Sequence, residues 1–326
     1  MKYSIFPSKE DSTYIKAVLA IFVLAHHVYQ EIPLLEGTLL HTVFLSLGYL
    51  SVAAFLFLSG YGLAYNEKKS GDAYLKGLPA KRIAPFYMHI LLLNFLYFFL
   101  YAFLNRSFDF LGLMNSIFHN YSLIRNGWYL TVSLMAYIVF YYVYKLIKNT
   151  VLRLLSVAVF FIVFGVVCIR IFHLGNWWFE SNFAFVVGLL WGTLYNSNTK
   201  EKSKITYYTS LLCSTVVFCV TFYLVNMKSL GHQFYLFAKC LCGVSFSIAL
   251  MLVKKILPLK SKVLLYLSKI SFEVYVCQGL FLSLFHSNRI YIHNSFLYVV
   301  AVAVSTIAFS AGLNIVFKKL DNKLHT

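Results

Sequence analysis

Charge is scarce in this 326-residue chain. Asp, Glu, Lys and Arg together make 12% of it, about half the roughly 25% of an average soluble protein. Carboxylates are the scarcest, with 11 Asp and Glu against 28 Lys and Arg. A water-soluble globule of this size needs a polar surface, and this chain cannot supply one. A soluble enzyme, a free nucleic-acid binder and a disordered chain are thereby excluded. Paired cysteines are lacking too. Cys168, Cys213, Cys219, Cys240, Cys242 and Cys277 all lie in apolar stretches, and none forms a C-x-x-C pair. They read as small buried apolar residues, so neither a metal site nor a disulfide framework is expected. There is no internal repeat, no low-complexity tract and no loop long enough for a soluble domain. The longest loop is 105–127.

What the chain has is apolar residues, 60% of the total, with a mean hydropathy of +0.74. About ten membrane spans of roughly 20 residues would use that supply. Apolar runs between polar or basic breaks fall at 14–30, 42–65, 83–104, 128–147, 151–171, 179–196, 206–226, 234–253, 263–286 and 295–317. The first ends in His26, His27 and Gln30 without a small-residue cleavage pattern, so it reads as a span rather than a cleavable signal. The expectation is one all-α polytopic membrane domain over residues 1–326, with about ten transmembrane helices.

The net charge of +17 fits that picture. With the N-terminus in the cytoplasm, 22 of the 28 basic residues fall in cytoplasmic segments. Only Arg106, Arg125, Arg170, Lys228, Lys239 and Arg289 fall elsewhere. Such asymmetry is the positive-inside signal, and it predicts cytoplasmic N- and C-termini.

Polar residues at bilayer depth are costly unless paired or wetted, so they mark the places to look for chemistry. His26 and His27 sit near the outer end of the first span, where a neutral imidazole can take a proton from a hydroxyl. Ser59, Gly60 and Gly62 interrupt the second span, and the glycines suit close helix packing. Lys68, Lys69, Lys76, Lys81 and Arg82 crowd the connection to the third span. They suit anionic lipid or a phosphate-bearing cofactor. Arg125, Trp128, Tyr129, Trp177 and Trp178 mark the opposite side, as an interfacial belt or a sugar-facing surface. Glu273 is the only carboxylate deep within a span, and it stands beside Tyr275 and Gln278. His286 and His293 flank the last outer loop as ordinary loop histidines.

Taken in order, these landmarks resemble the acyltransferase 3 family of bacterial membrane proteins. Lys16 precedes His27 by eleven positions, as a basic residue precedes a His in the family's first span. Phe55, Ser59, Gly60 and Tyr61 match its Phe-x-x-x-Ser-Gly-Tyr element. Arg82, Ile83, Pro85 and Tyr87 match the start of its third span. Trp128, Tyr129 and Leu130 match its fourth, and Ser271, Glu273 and Tyr275 its late Ser-x-Glu-x-Tyr element. The chain departs from the pattern twice. Ser133 and Tyr137 occupy a stretch where many members carry Glu, and Gln278 stands where a His often follows.

The resemblance implies an integral O-acyltransferase, read as an O-acetyltransferase, of the bacterial plasma membrane. Acetyl-CoA or another acyl-CoA would be the cytosolic donor, without a metal. A hydroxyl of a polysaccharide or lipid-linked glycan would be the acceptor, and membrane lipids rather than nucleic acid would be the surroundings. His27, with His26, would be the base, and Glu273 an orienting group. Lys76, Lys81, Arg82, Ser59 and Gly60 would hold the donor. Arg125, Trp128, Tyr129, Trp178, Tyr275 and Gln278 would face the acceptor. The alternatives are an export or flippase component without acyl transfer and, lower, a secondary transporter, against which no inverted repeat is seen.

Overall fold

A hydroxyl inside a bilayer must find a partner within the protein, while an apolar side chain needs none. The helices obey that rule. On Lys204–Asn226 the buried residues are Tyr207, Ser214, Thr221 and Val225, and Leu212, Val216, Val220 and Tyr223 are exposed. Three of the four buried residues carry hydroxyls while aliphatic side chains lie exposed, an arrangement that suits a lipid surround.

A computed structural model describes residues 4–104, 123–195, 203–226, 231–254, 256 and 261–325. The loop expected at 105–127 lies mostly outside them. Among the described residues the fold is helical without a strand. The helices are α1 (Lys9–Glu31), α2 (Leu39–Leu78), α3 (Ala84–Phe103), α4 (Trp128–Leu146), α5 (Thr150–Arg170), α6 (Phe183–Leu194), α7 (Lys204–Asn226), α8 (His232–Val253), α9 (Lys262–Lys269), α10 (Ser271–Phe285) and α11 (Ser295–His325). Seven described helical stretches are long and apolar enough to cross a membrane, or eight if the bent pair α9–α10 counts as one.

Local chemistry sets the boundaries. Ser8 starts α1 through a capping box. Its hydroxyl accepts from the Asp11 amide, and the Asp11 carboxylate accepts from the Ser8 amide at 2.7 Å. Asn149 starts α5 by accepting from the Leu152 amide at 3.0 Å. The helical stretch Leu39–Phe103 runs 65 residues, about three times what one crossing needs. It is interrupted twice. Gly71 has φ 53° and ψ −135°, a conformation that glycine adopts without a Cβ penalty. A π-helical turn over Pro79–Ile83 follows. The basic segment between the spans expected at 42–65 and 83–104 occupies these breaks.

Two expected spans differ in form. The run at 179–196 yields only the twelve-residue α6, about 18 Å long. Before it, a 3₁₀ turn at Asn176–Trp178 and buried Glu180, Ser181 and Asn182 take up the chain. The run at 263–286 is bent by 74° between α9 and α10. Asn314 stabilises the bend, its amide donating to Lys269 O at 3.0 Å and to Glu273 Oε1 at 2.7 Å.

The core forms where α6 lies against α2. A Cβ on Gly60 would meet the carbonyl oxygen of Phe185, and one on Gly188 the carbonyl oxygen of Phe57. One on Gly192 would come within 2.6 Å of Tyr61 O. Three glycines thus let two backbones touch. Gly62 plays no such part, since nothing lies within 4 Å of its Cβ position. Gly188→Ala is therefore expected to cost about 1–3 kcal/mol and to lower Tm in detergent. Gly62→Ala should leave Tm unchanged or slightly higher, as thermal unfolding of the purified protein will register.

Candidate active site

Two polar clusters occupy opposite ends of the bundle. The basic cluster is built on the π-turn. Arg82 sits there between Pro79 and Pro85, half-buried, and turns into the bundle. Its Nη2 donates to the Tyr137 hydroxyl at 3.1 Å, and its guanidinium lies over the Tyr137 ring at 4.5 Å. That phenol accepts from Arg82, so its own proton is available to Ser59 Oγ at 3.4 Å. Lys16 of α1 lies within electrostatic reach of both Arg82 and Tyr137. No carboxylate among the described residues pairs with Arg82 or with Lys16. Beside them is a cavity of about 370 Å³ lined by Ala73, Tyr74, Gly77, Leu78, Lys81 and Arg82.

The histidine cluster closes the far end of α1. The rings of His26 and His27 meet edge to face at 4.8 Å. His26 packs on Gly48 of α2, and its Nδ1 bonds Phe44 O at 3.0 Å. His27 Nδ1 lies 2.9 Å from Gln30 Oε1 and 3.1 Å from the Asn126 amide. Its Nε2 makes no hydrogen bond among the described residues. With the proton on Nδ1, therefore, Nε2 carries a free lone pair. The Tyr275 hydroxyl donates to Asn126 O at 2.6 Å, and Arg125 pairs with Glu31. Glu31 also meets His286 Nδ1 at 3.4 Å, and the His286 ring stacks on Tyr298 at 3.8 Å.

One helix connects the clusters. Tyr129, Ser133 and Tyr137 are spaced four apart on α4 and so share one face. Tyr129 lies edge-on to Tyr275 at 5.2 Å, beside the histidines. Tyr137 holds Arg82 at the other end. The eight-residue step from one tyrosine to the other spans about 12 Å.

The sequence-predicted residues divide accordingly. His26, His27, Arg125, Tyr129 and Tyr275 converge, and Trp128 lies near Trp178 at 6.4 Å at the same end. Arg82 and Ser59 converge on the Tyr137 hydroxyl, and Arg82 lines the cavity with Lys81. Lys76 is exposed and does not line the cavity. Gly60 is occupied by the α6 backbone rather than facing the cavity. Glu273 is not brought to the histidines. It faces α11, where Asn314 donates to it, because a two-residue step around α10 separates it from the Tyr275 face. Gln278 is buried, its amide donating to Tyr275 O at 3.0 Å.

Sequence reading passed over Tyr137, Tyr74, Asn126 and Gln30 as site residues. The i, i+4, i+8 register of Tyr129, Ser133 and Tyr137 was the available signal for the first. It also passed over a buried pair. Lys239 of α8 meets Glu180 at 2.9 Å, with the Tyr49 ring 4.7 Å from the ammonium and the Tyr235 hydroxyl at 3.1 Å.

Lys239→Met strands Glu180 and should destabilise the protein by about 3–5 kcal/mol. Lys239→Met with Glu180→Gln together should recover most of the loss, as thermal unfolding of both variants will report. No curated protein and no solved structure matches the chain. A family model described as an acyltransferase domain does, across residues 10–315, nearly the whole length. With its apolar helices and its paired polar clusters, the chain belongs to the acyltransferase 3 family, as a multi-pass membrane protein.

Proposed function

We infer that this protein is an O-acyltransferase of the bacterial plasma membrane, and specifically an O-acetyltransferase. It crosses the bilayer about ten times, with both termini in the cytoplasm. It moves an acyl group from cytosolic acetyl-CoA, or another acyl-CoA, to a hydroxyl of an exported or surface polysaccharide. The observation that carries this reading is the uncompensated charge at the basic end. Arg82 turns into the bundle with the Tyr137 hydroxyl for a partner and no carboxylate, and the exposed Lys16 adds its charge within electrostatic reach. Such a site favours a polyanion, and guanidinium and ammonium groups bind phosphate oxygens strongly. The phosphates of acyl-CoA supply that charge, with Lys81 and Tyr74 at the cavity rim.

The second half of the reaction belongs to the histidine end. Lys16 and His27 are eleven residues apart on α1, about 16 Å along its axis. The extended arm of the donor bridges that distance along the Tyr129–Ser133–Tyr137 face. His27 Nε2 takes the proton of the acceptor hydroxyl. The oxygen attacks the thioester carbonyl, a C–O bond forms, and the C–S bond breaks. The departing thiolate takes the proton back from the imidazolium. Arg125, Trp128, Tyr129, Trp178 and Tyr275 surround the acceptor, and aromatic faces suit sugar rings.

Mass spectrometry of surface glycans from a producing host tests this. His26→Ala with His27→Ala should cut acylation by about 10²–10⁴-fold. Arg82→Met should raise KM for acetyl-CoA by roughly tenfold or more. Unchanged acylation in the double histidine variant overturns the proposed base. Lost glycan display with normal acylation of what remains would instead support an export component.

A further inference from the structure

The segment 123–127 is held at almost every residue. Leu123 N donates to Asn94 Oδ1 at 2.9 Å, and Gly127 N to Ile124 O at 2.8 Å. Arg125 pairs with Glu31 and reaches Ser283 Oγ at 3.4 Å, and its backbone lies against Gly279 of α10. The Tyr275 hydroxyl holds Asn126 O at 2.6 Å. Within this frame Asn126 takes φ 60°, one of only two positive-φ residues other than glycine among the described residues. Few L residues adopt that conformation, and Asn is among those that do most readily. A left-handed residue fixed on all sides points to a role for its side chain, and the side chain of Asn126 reaches His27 Nδ1.

That nitrogen has two amide neighbours but at most one proton. Gln30 Oε1 at 2.9 Å requires Nδ1–H. An amide NH₂ of Asn126 at 3.1 Å would require the bare nitrogen. Exchanging the positions of its Nδ2 and Oδ1, with the rest of the side chain unmoved, puts the Asn126 oxygen there. Both oxygens then accept from one Nδ1–H. We propose that Asn126 is a positioning residue that, with Gln30, keeps the His27 proton on Nδ1 and so leaves Nε2 free to act as the base. This rests on the acyl-transfer reading for its purpose, but not for its test.

Other groups also act on this imidazole. His26 faces it from α1, and Lys239 of α8 acts through His26. Arg125 approaches from the loop, neutralised by Glu31 with His286 beyond. Tyr275 of α10 and Tyr129 of α4 are neutral phenols. None of the charged groups offers Nδ1 an acceptor, so that part is left to the two amides.

The experiment uses ¹⁵N-histidine-labelled full-length protein in lipid nanodiscs, with the His27 ring signals identified by their loss in His27→Gln. In the native protein, NMR should show neutral His27 with Nδ1 protonated and Nε2 bare. Asn126→Gly accepts φ 60° and removes the amide, so the Nε2–H tautomer should appear. Asn126→Asp sets a carboxylate against Nδ1–H, which should move His27 titration up by one pH unit or more. Transfer of [¹⁴C]acetyl from acetyl-CoA in expressing membranes is the companion measurement. Its acid limb should shift by the same amount in Asn126→Asp, and kcat should fall in Asn126→Gly with KM for acetyl-CoA kept. A native Nε2–H tautomer, or a tautomer and titration unmoved in both variants, overturns the proposal. Absence of any His27-dependent transfer in native membranes would overturn the acyltransferase reading alone, since the NMR result stands without it.

Discussion

A guanidinium inside a helix bundle with a phenol for its partner governs the rest of this structure. Arg82 keeps its full charge, because the Tyr137 hydroxyl offers a hydrogen bond and no counter-ion. Removing an ion from water costs several kcal/mol unless another charge or water meets it. Elsewhere the same chain pairs its buried ions with care. Lys239 has Glu180, Arg153 has Glu67 and Arg125 has Glu31. With carboxylates so few, leaving Arg82 without one sets this end of the bundle apart. That contrast is the ground for the anionic donor proposed there, since the other three cations are paired within the protein.

The helices around that site serve to aim it. The glycine contacts of α2 and α6 bring two backbones together, which fixes Ser59 on the face opposite Tyr137. The π-turn between Pro79 and Ile83 rotates Arg82 inward where a continuing α-helix would set it differently. Helix α4 then works as a ruler, with Tyr137 at the charged end and Tyr129 against Tyr275 and the histidine loop. Its face of Tyr129, Ser133 and Tyr137 runs from one cluster towards the other.

Much of the fold was readable because lipid imposes a simple rule on composition. The runs at 128–147, 151–171, 206–226 and 234–253 became α4, α5, α7 and α8 within a few residues. The bend at Ile270 was not readable, since the run at 263–286 has no Pro or Gly there. Its stabilising partner, Asn314, comes from a helix more than forty residues away. Within the site, His27 and Ser59 stood out because polar groups in apolar runs are conspicuous, and Arg82 because it closes a basic segment. Glu273 stood out for the same reason, yet it faces Asn314, because which side of a helix a residue takes depends on its neighbours. Tyr137 and Asn126 were passed over for the opposite reason. Tyrosine is common in this chain, and an asparagine before a glycine looks like an ordinary turn. Only the three-dimensional contacts with Arg82 and His27 distinguish them.

The central claim is directional: a thioester donor binds at the basic end while the accepting hydroxyl waits at the histidine end. Sealed vesicles of defined orientation test it most directly. Membrane-impermeant [¹⁴C]acetyl-CoA would be supplied on one face only, and the label sought on glycan that an added glycosidase can reach from the other. The account predicts labelling when the donor is on the face carrying the basic segment, and none when it is on the opposite face. Equal labelling from either side, or labelling only from the histidine side, would contradict it.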